Sequence, residues 1–341
     1  MLKSRNPYLD AMRFILSTLI VVQHFGGNLN QLIPYPFESG ARVSFYMFLA
    51  GIFSAKLIPE NAGIKGFFRD RVLRIAPLYY IAFFTILVID HNSAWPQERV
   101  IAFWGSLFCV QSLIPGKTAI INNPAWFLSA LLVIQAAHYI LVQLGRNLRI
   151  VLTTIAFLAG IAGTILTNII QHTQPELFQN TVIRDLFFYS PIVPGFQYIL
   201  GYMLGKWLTG GDQQQRAVTT LLVSGIVSIS FLILHWINPA HRYVNGATVS
   251  FAVAIFCCCL LLPAVASSNR FARAANYLGT CSYAIYLFQG HMSRISYRLF
   301  GDTTEKPVLF FISLGSLILV SIPLTILQNK IISTISNRLR S

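Results

Sequence analysis

Charge is scarce in this sequence: Asp, Glu, Lys and Arg together make up 11% of its 341 residues, less than half of the roughly 25% found in an ordinary soluble domain. So little charge cannot solvate a soluble surface of this size, and the mean hydropathy of +0.62 points the same way. Acidic residues are the rarest, 11 against 25 basic ones. In a soluble protein the net charge of +14 would suggest nucleic acid. No basic stripe interleaved with aromatics occurs here, however, and in membrane proteins Lys and Arg gather in cytoplasmic loops. No nucleic-acid partner is expected. The five cysteines, Cys109, Cys257, Cys258, Cys259 and Cys281, lie in apolar runs without CxxC spacing. They are expected to be small buried side chains, not disulfides or metal ligands. The N-terminus, MLKSRNPYLDAMRF, sets basic residues before an apolar stretch but lacks a small-residue cleavage site, so the first span is expected to stay. Internal repeats, low-complexity stretches and a soluble domain are missing too. Gly/Pro-broken helices paired between two halves, the mark of many secondary transporters, are not found.

What the sequence does have is long apolar runs. A spanning helix needs about 20 mostly apolar residues. Candidate spans lie near 8–26, 43–58, 75–90, 124–144, 150–170, 188–208, 217–236, 246–266, 277–299 and 308–332, with a shorter apolar segment at 100–114. If 100–114 does not span and the N-terminus is cytoplasmic, 17 basic residues fall inside and 8 outside; if it does span, the split becomes 14 to 11. The first arrangement also makes every cytoplasmic connection locally basic. The expectation is therefore an all-α bundle of about ten spanning helices, a single membrane-embedded domain over 1–341, both termini cytoplasmic, and 100–114 re-entrant or interfacial. Irregular backbone at that depth is tolerated only where protein or water covers it, so such a segment hints at a cavity.

Ionisable groups inside a membrane are costly and are functional candidates by default. The first span carries Asp10, Arg13 and His24. Asp10 and Arg13, three apart, can pair on one helix face. Arg13 and His24 are eleven apart, close to three whole turns, and so share a face with a rise of roughly 16 Å between them. Taken singly, Arg13 could snorkel and His24 could be a satisfied core histidine; on one face together they read as a site. A second cluster, FFRDRVLRIAPLYY (67–80), brings Arg69, Arg71 and Arg74 to the start of the third span. Arginine offers phosphate a planar fork of donors, and either lipid phosphates or a phosphorylated cofactor would fit. NNPAWFLSALLVIQ (122–135) sets Asn122, Asn123 and Trp126 at the outer end of a span, and LGTCSYAIYLFQGH (278–291) ends on His291, followed by Arg294 and Arg298.

In this order the four stretches resemble the acyltransferase-3 family of membrane acyltransferases. Its opening pattern is similar to Leu9, Asp10, Arg13 and His24, and its second-helix pattern to GARVSFYMFLAGIF (40–53). Its R-x-x-R with a following Pro-Leu-Tyr resembles Arg71, Arg74, Pro77, Leu78 and Tyr79; its W-F-L resembles Trp126, Phe127 and Leu128; its S-Y-x-x-Y-L resembles Ser282, Tyr283, Tyr286 and Leu287. Three positions depart: Ala50-Gly51 where many members have Ser-Gly, Ser129-Ala130-Leu131 where many have Glu, and Gln289 where many have His, with His291 two residues on.

The resemblance implies transfer of an acyl group, usually acetyl, from acyl-coenzyme A to a hydroxyl of a cell-surface or lipid-linked glycan; the small size and bare bundle suit a bacterial inner membrane. Acetyl-coenzyme A is then the donor substrate, and no cofactor is bound permanently. His24, Arg13 and Asp10 would be the catalytic residues, with His24 a buried general base near neutrality. Arg69, Arg71 and Arg74 would bind the donor, and Trp126, Tyr283 and His291 the acceptor. The competing class is transport of an organic anion or a lipid-linked sugar.

Overall fold

The computed structural model describes residues 6–25, 41–58, 63–89, 97–116, 121, 125–174, 176–177, 180–209, 212–237, 244–263, 269–300 and 306–338. Every regular element among them is helical, and no strand occurs. The helices are α1 (Pro7–Phe25), α2 (Ala41–Leu57), α3 (Ile64–Phe67), α4 (Leu73–Ile89), α5 (Gln97–Leu107), α6 (Trp126–Leu141) and α7 (Arg146–Thr173). They continue as α8 (Thr181–Arg184), α9 (Ile192–Thr209), α10 (Gln213–Ile237), α11 (Val244–Leu261), α12 (Arg270–Phe300) and α13 (Lys306–Arg338). Each expected span overlaps a helix, although that at 188–208 begins in a π-helical turn and is broken by a bend at 190–191 before α9. By length and apolar composition, three stretches among the described residues can cross a membrane outright: Arg146–Thr167, Gln213–Ile237 and Val308–Ile335.

The side-chain distribution is that of a membrane helix bundle. On α10 the exposed positions are Leu222, Val223, Ile226, Ile229, Ile233 and Trp236, while the buried ones are Ala217, Ser224 and Ser228. The Ser228 hydroxyl donates to Ser250 Oγ of α11 at 3.1 Å. Small and polar residues inside with bulky aliphatics outside is the arrangement that close helix packing in lipid favours. The chain is an integral membrane protein. Of the five cysteines, four are buried as expected; Cys258 is exposed, because α11 is apolar all round and one of three consecutive cysteines must face outward.

The chain folds as two compact units, one of Met1–Lys56 with Gly201–Ile322 and one of Leu57–Leu200 with Pro323–Ser341. In the first, α1 packs along α12 and α10 along α11. Gly201 and Gly205 of α9 pack directly on α2: a Cβ at Gly205 would lie 2.7 Å from the Ile52 carbonyl oxygen, and one at Gly201 would overlap the Phe48 carbonyl. This is a small-xxx-small contact, in which two backbones meet with no side chain between them.

In the second unit the 100–114 segment holds only a short helix and a turn. α5 has 11 residues, about 16 Å against a hydrocarbon thickness of roughly 30 Å. It ends in a Schellman turn, with Val110 N–H bonded to the Gly105 carbonyl (2.7 Å) and Cys109 N–H to the Ser106 carbonyl (3.0 Å). Cys109 takes the left-handed position at φ 53° that glycine usually holds. The turn Gln111–Leu113 is then fastened to α6, since Ser129 Oγ lies 3.0 Å from the Ser112 amide and 2.8 Å from its hydroxyl.

Interrupted helices, not found from sequence, are present. π-helical turns occur at Phe68–Val72, running into α4, and at Asp185–Tyr189, after α8. Both belong to the second unit, so they are not the paired breaks of transporter repeats.

Candidate functional site

In the first unit the start of α1 is fixed from two sides. Asn6 is its N-cap: Oδ1 accepts the backbone N–H of Tyr8 (3.0 Å) and of Leu9 (3.2 Å). Pro7 occupies the first helical position, where a missing N–H is no loss. Asn6 Nδ2 donates to the Cys259 carbonyl at 2.9 Å, and the Tyr8 hydroxyl to the Pro263 carbonyl at 3.3 Å. One turn in, Asp10 is buried, and its Oδ1 lies 3.4 Å from an Arg13 guanidinium nitrogen. The i, i+3 pair expected from sequence is present, and the Arg13 side chain stays 37% open.

A hydrogen-bonded node then joins α1, α2 and α12. The Tyr46 hydroxyl donates to the Arg13 carbonyl at 2.5 Å. Ser17 has one proton and three acceptors within reach: the Arg13 carbonyl at 3.0 Å, Tyr46 Oη at 2.6 Å and the Ser282 carbonyl at 3.1 Å. The approach of α12 is set by Gly279, where a Cβ would lie 2.6 Å from the Asp10 Cβ and 2.7 Å from its carbonyl oxygen. Asp10 meets Gly279 and Ser17 meets Ser282, so the two helices run parallel. Carried on at the offsets of these two contacts, the register puts His24 level with the stretch Gln289 to Ser293, which includes His291.

α1 is unbroken from Pro7 to Phe25, so Arg13 and His24 keep one face and stand about 16 Å apart along the axis. His24 lies in the last turn and is exposed, not buried. The buried run of α1 ends at Ile20 and Val21, one turn earlier. Among the described residues of this unit the buried histidine is instead His291, 1% exposed and packed on the Phe288 ring at 5.0 Å between centroids. Beside it in sequence, Gln289 donates Nε2 to the Tyr286 carbonyl at 2.9 Å. Its Oε1 is buried without a hydrogen-bond partner among the described residues. Tyr283 is half-buried, and Arg294 and Arg298 are exposed.

In the second unit Arg69 and Arg71 sit in the π-helical turn and Arg74 in the first turn of α4. Arg69 and Arg74 are exposed; Arg71 is half-buried. The Gln328 side-chain amide donates to the Arg74 carbonyl at 2.5 Å. Downstream, the Tyr79 hydroxyl donates to the Ser106 carbonyl and the Tyr80 hydroxyl to the Leu107 carbonyl at 2.9 Å. Two consecutive tyrosines thus cap the last carbonyls of α5, Tyr80 at Leu107 and Tyr79 at Ser106, whose carbonyl also takes the Cys109 amide of the turn. Trp126 is buried, its ring 4.7 Å from that of Tyr189. It is a core residue at this end of α6. Asn122 and Asn123 lie outside the described residues.

A family model described as an acyltransferase domain matches residues 6–326. The chain belongs to the acyltransferase-3 family. No curated protein and no solved structure matches it. The membrane acyltransferase places its motifs in two sets: Asp10, Arg13, His24, Tyr283 and His291 in the first unit, Arg69, Arg71, Arg74 and Trp126 in the second. Several motif residues have structural work that explains them without chemistry. Gly279 admits α1, Ser282 offers a carbonyl to Ser17, and Tyr79 closes α5. Ser129, standing where many members carry Glu, holds the turn after α5.

Two polar groups of the acyltransferase were missed from sequence. Asp185 is buried in the second π-helical turn; its Oδ2 accepts the Gly116 amide at 2.9 Å, and Arg184 Nε lies 3.6 Å from its Oδ1. The Arg184 guanidinium also stands 5.7 Å from the Tyr189 ring centre, which brings this ion pair to the ring that Trp126 packs on. The signal was an Arg-Asp dipeptide three residues ahead of an apolar run, where a carboxylate is expensive. The other is His138, buried in α6 with Nδ1 2.6 Å from the Tyr198 hydroxyl of α9.

Proposed function

We propose that this acyltransferase moves an acyl group, usually acetyl, from cytosolic acyl-coenzyme A to a hydroxyl of a cell-surface or lipid-linked glycan at the outer face of an inner membrane. The reading is carried by one observation: a single face of α1 holds the Asp10–Arg13 pair at one end and His24 three turns on, clamped to α2 and α12 by Tyr46, Ser17 and Gly279. His24 accepts the hydroxyl proton as the oxygen attacks the thioester carbonyl. The C–O bond forms, the C–S bond breaks, and the proton passes on to the departing coenzyme A sulfur. Arg13, about 16 Å away, is too distant to touch the same carbonyl, so its role is to hold the donor arm, with Asp10 orienting its guanidinium. Arg69, Arg71 and Arg74 receive the donor's phosphates, while Tyr283 and His291 of α12 and Trp126 of α6 serve the acceptor.

Purified protein in lipid, given acetyl-coenzyme A and a glycan acceptor, is expected to release coenzyme A thiol in step with acylated glycan. Binding without thiol release would point to transport and sink the reading. Replacing Arg71 and Arg74 with Ala is expected to weaken donor binding by about tenfold or more, since each charge-assisted hydrogen bond is worth about 1.5–3 kcal/mol. Lysine should rescue only in part, because it offers a point charge in place of a fork. Wild-type donor affinity in a well-inserted double Ala variant would remove these arginines from the site.

The orientation carries its own test. With 100–114 not crossing, the connections 59–73 and 145–149 face the same, cytoplasmic, compartment. Single cysteines placed in each should react with a membrane-impermeant maleimide from the same side, and labelling from opposite sides would overturn the arrangement.

A further inference from the structure

The π-helical turn and the start of α4 wall a cavity of about 310 Å3 in the second unit, within the range of about 300–1,000 Å3 typical of small-molecule sites. Val72, Ile75 and Ala76 line it from this side, Val133 and Ala136 from α6, and the turn at Cys109 closes it. That turn exists because Cys109 accepts a left-handed backbone, φ 53°. No charged side chain lines the cavity, and the two tyrosines at its edge have turned their hydroxyls to α5 carbonyls. Phe68, Tyr80 and Phe108 at the rim are exposed, and for a membrane helix an exposed apolar rim faces lipid.

Arg71 stands one turn from Phe67 and one turn from Ile75, both of which line the cavity. Its Nε is buried with no hydrogen-bond partner among the described residues, a state that calls for an acceptor. The ligand must therefore bring an anion and hydrocarbon within about one helical turn, roughly 5 Å, of each other. A phospholipid does so, because only a glycerol separates its phosphate from its chains. Acyl-coenzyme A does not: a pantetheine arm with two amides stands between its phosphates and its acyl group, and those amides would be left unpaired against this lining. A free phosphate would leave the cavity unfilled. We propose that the cavity between α4 and α6 seats one acyl chain of an anionic membrane phospholipid, whose phosphate is held by Arg71. The proposed donor site also uses Arg71, so lipid and donor phosphates compete for its guanidinium, while the apolar cavity takes the lipid chain alone.

The test uses the whole protein in nanodiscs of mixed phosphatidylglycerol and phosphatidylcholine, with retained lipid counted by native mass spectrometry. One phosphatidylglycerol should be retained in preference to phosphatidylcholine by about fivefold or more, the ratio that one well-placed basic residue supplies. Arg71→Gln should abolish the preference. Ala136→Leu, which fills the cavity, should lower retention of both lipids without weakening coenzyme A binding; Val133→Phe serves if Ala136→Leu does not insert. Equal retention of the two lipids by the wild type overturns the proposal without need of any variant. So does undiminished retention by a correctly inserted filled-cavity variant. Failure of the wild type to bind coenzyme A in the same samples would remove the donor assignment and leave the lipid result standing.

Discussion

Membranes carrying His24→Gln are expected to transfer acyl groups about 10²–10⁴-fold more slowly than wild type at equal protein, the usual effect of losing a general base. Glutamine keeps a hydrogen-bonding group of similar reach but offers no comparable base, so size and polarity are controlled and only proton acceptance is removed. The exposure of His24 in the last turn of α1 bears on this in two ways. Replacing an exposed residue beyond the buried run should leave insertion and packing intact, so a loss of rate reads on chemistry. An exposed imidazole is also open to a hydroxyl arriving from outside the packed helices, as the proposed glycan acceptor requires. The rival is His291, which is buried and lies within the stretch of the parallel helix α12 that the Asp10–Gly279 and Ser17–Ser282 contacts bring level with His24. If His291 orients the acceptor, His291→Gln should raise the acceptor requirement more than it lowers the maximal rate. Near-normal transfer by His24→Gln, with a collapse in His291→Gln, would move the base from α1 to α12.

The positions of the helices were legible because an apolar run long enough to enter a bilayer is a local property of the chain. The shortness of the helix in the 100–114 segment was legible from the length of its apolar run. The Asp10–Arg13 pair and the shared face of Arg13 and His24 follow from helical geometry alone, and an unbroken α1 preserves them. Packing relations were not legible. Nothing local marks Gly279 as the point where α12 meets the Asp10 backbone, or distinguishes Tyr79, which satisfies α5 carbonyls, from a tyrosine that binds substrate. The π-helical turns escaped for a related reason. FRDRV and DLFFY contain no glycine or proline, and their altered winding depends on the neighbours they pack against. Asp185 was overlooked because it stands just before the apolar run beginning at 188, in a stretch that reads as a loop until the helices around it close over the carboxylate.

The second large effect is expected from a residue with no chemistry at all. Gly279→Ala adds one methyl group, and that methyl would sit 2.6–2.8 Å from the Cβ, carbonyl oxygen and Cα of Asp10. Two of these three are backbone atoms, which cannot rotate away as the end of a flexible side chain could. The helices must separate, and overpacking of this kind costs about 1–3 kcal/mol. The same displacement stretches the Ser17–Ser282 hydrogen bond, already 3.1 Å long, and shifts the helix that carries Asp10, Arg13 and His24. Gly279→Ala is therefore expected to lower the thermal midpoint in detergent and to reduce transfer, with Gly279→Val more severe in both. Gly225, in the middle of α10 with open space around its α-carbon, supplies the comparison. Gly225→Ala should raise stability slightly, because alanine is the better helix former by about 1 kcal/mol, and leave transfer unchanged. A Gly279→Ala variant as stable and as active as Gly225→Ala would mean that α1 and α12 do not meet at Asp10, and with that the register placing His24 level with His291 would fall.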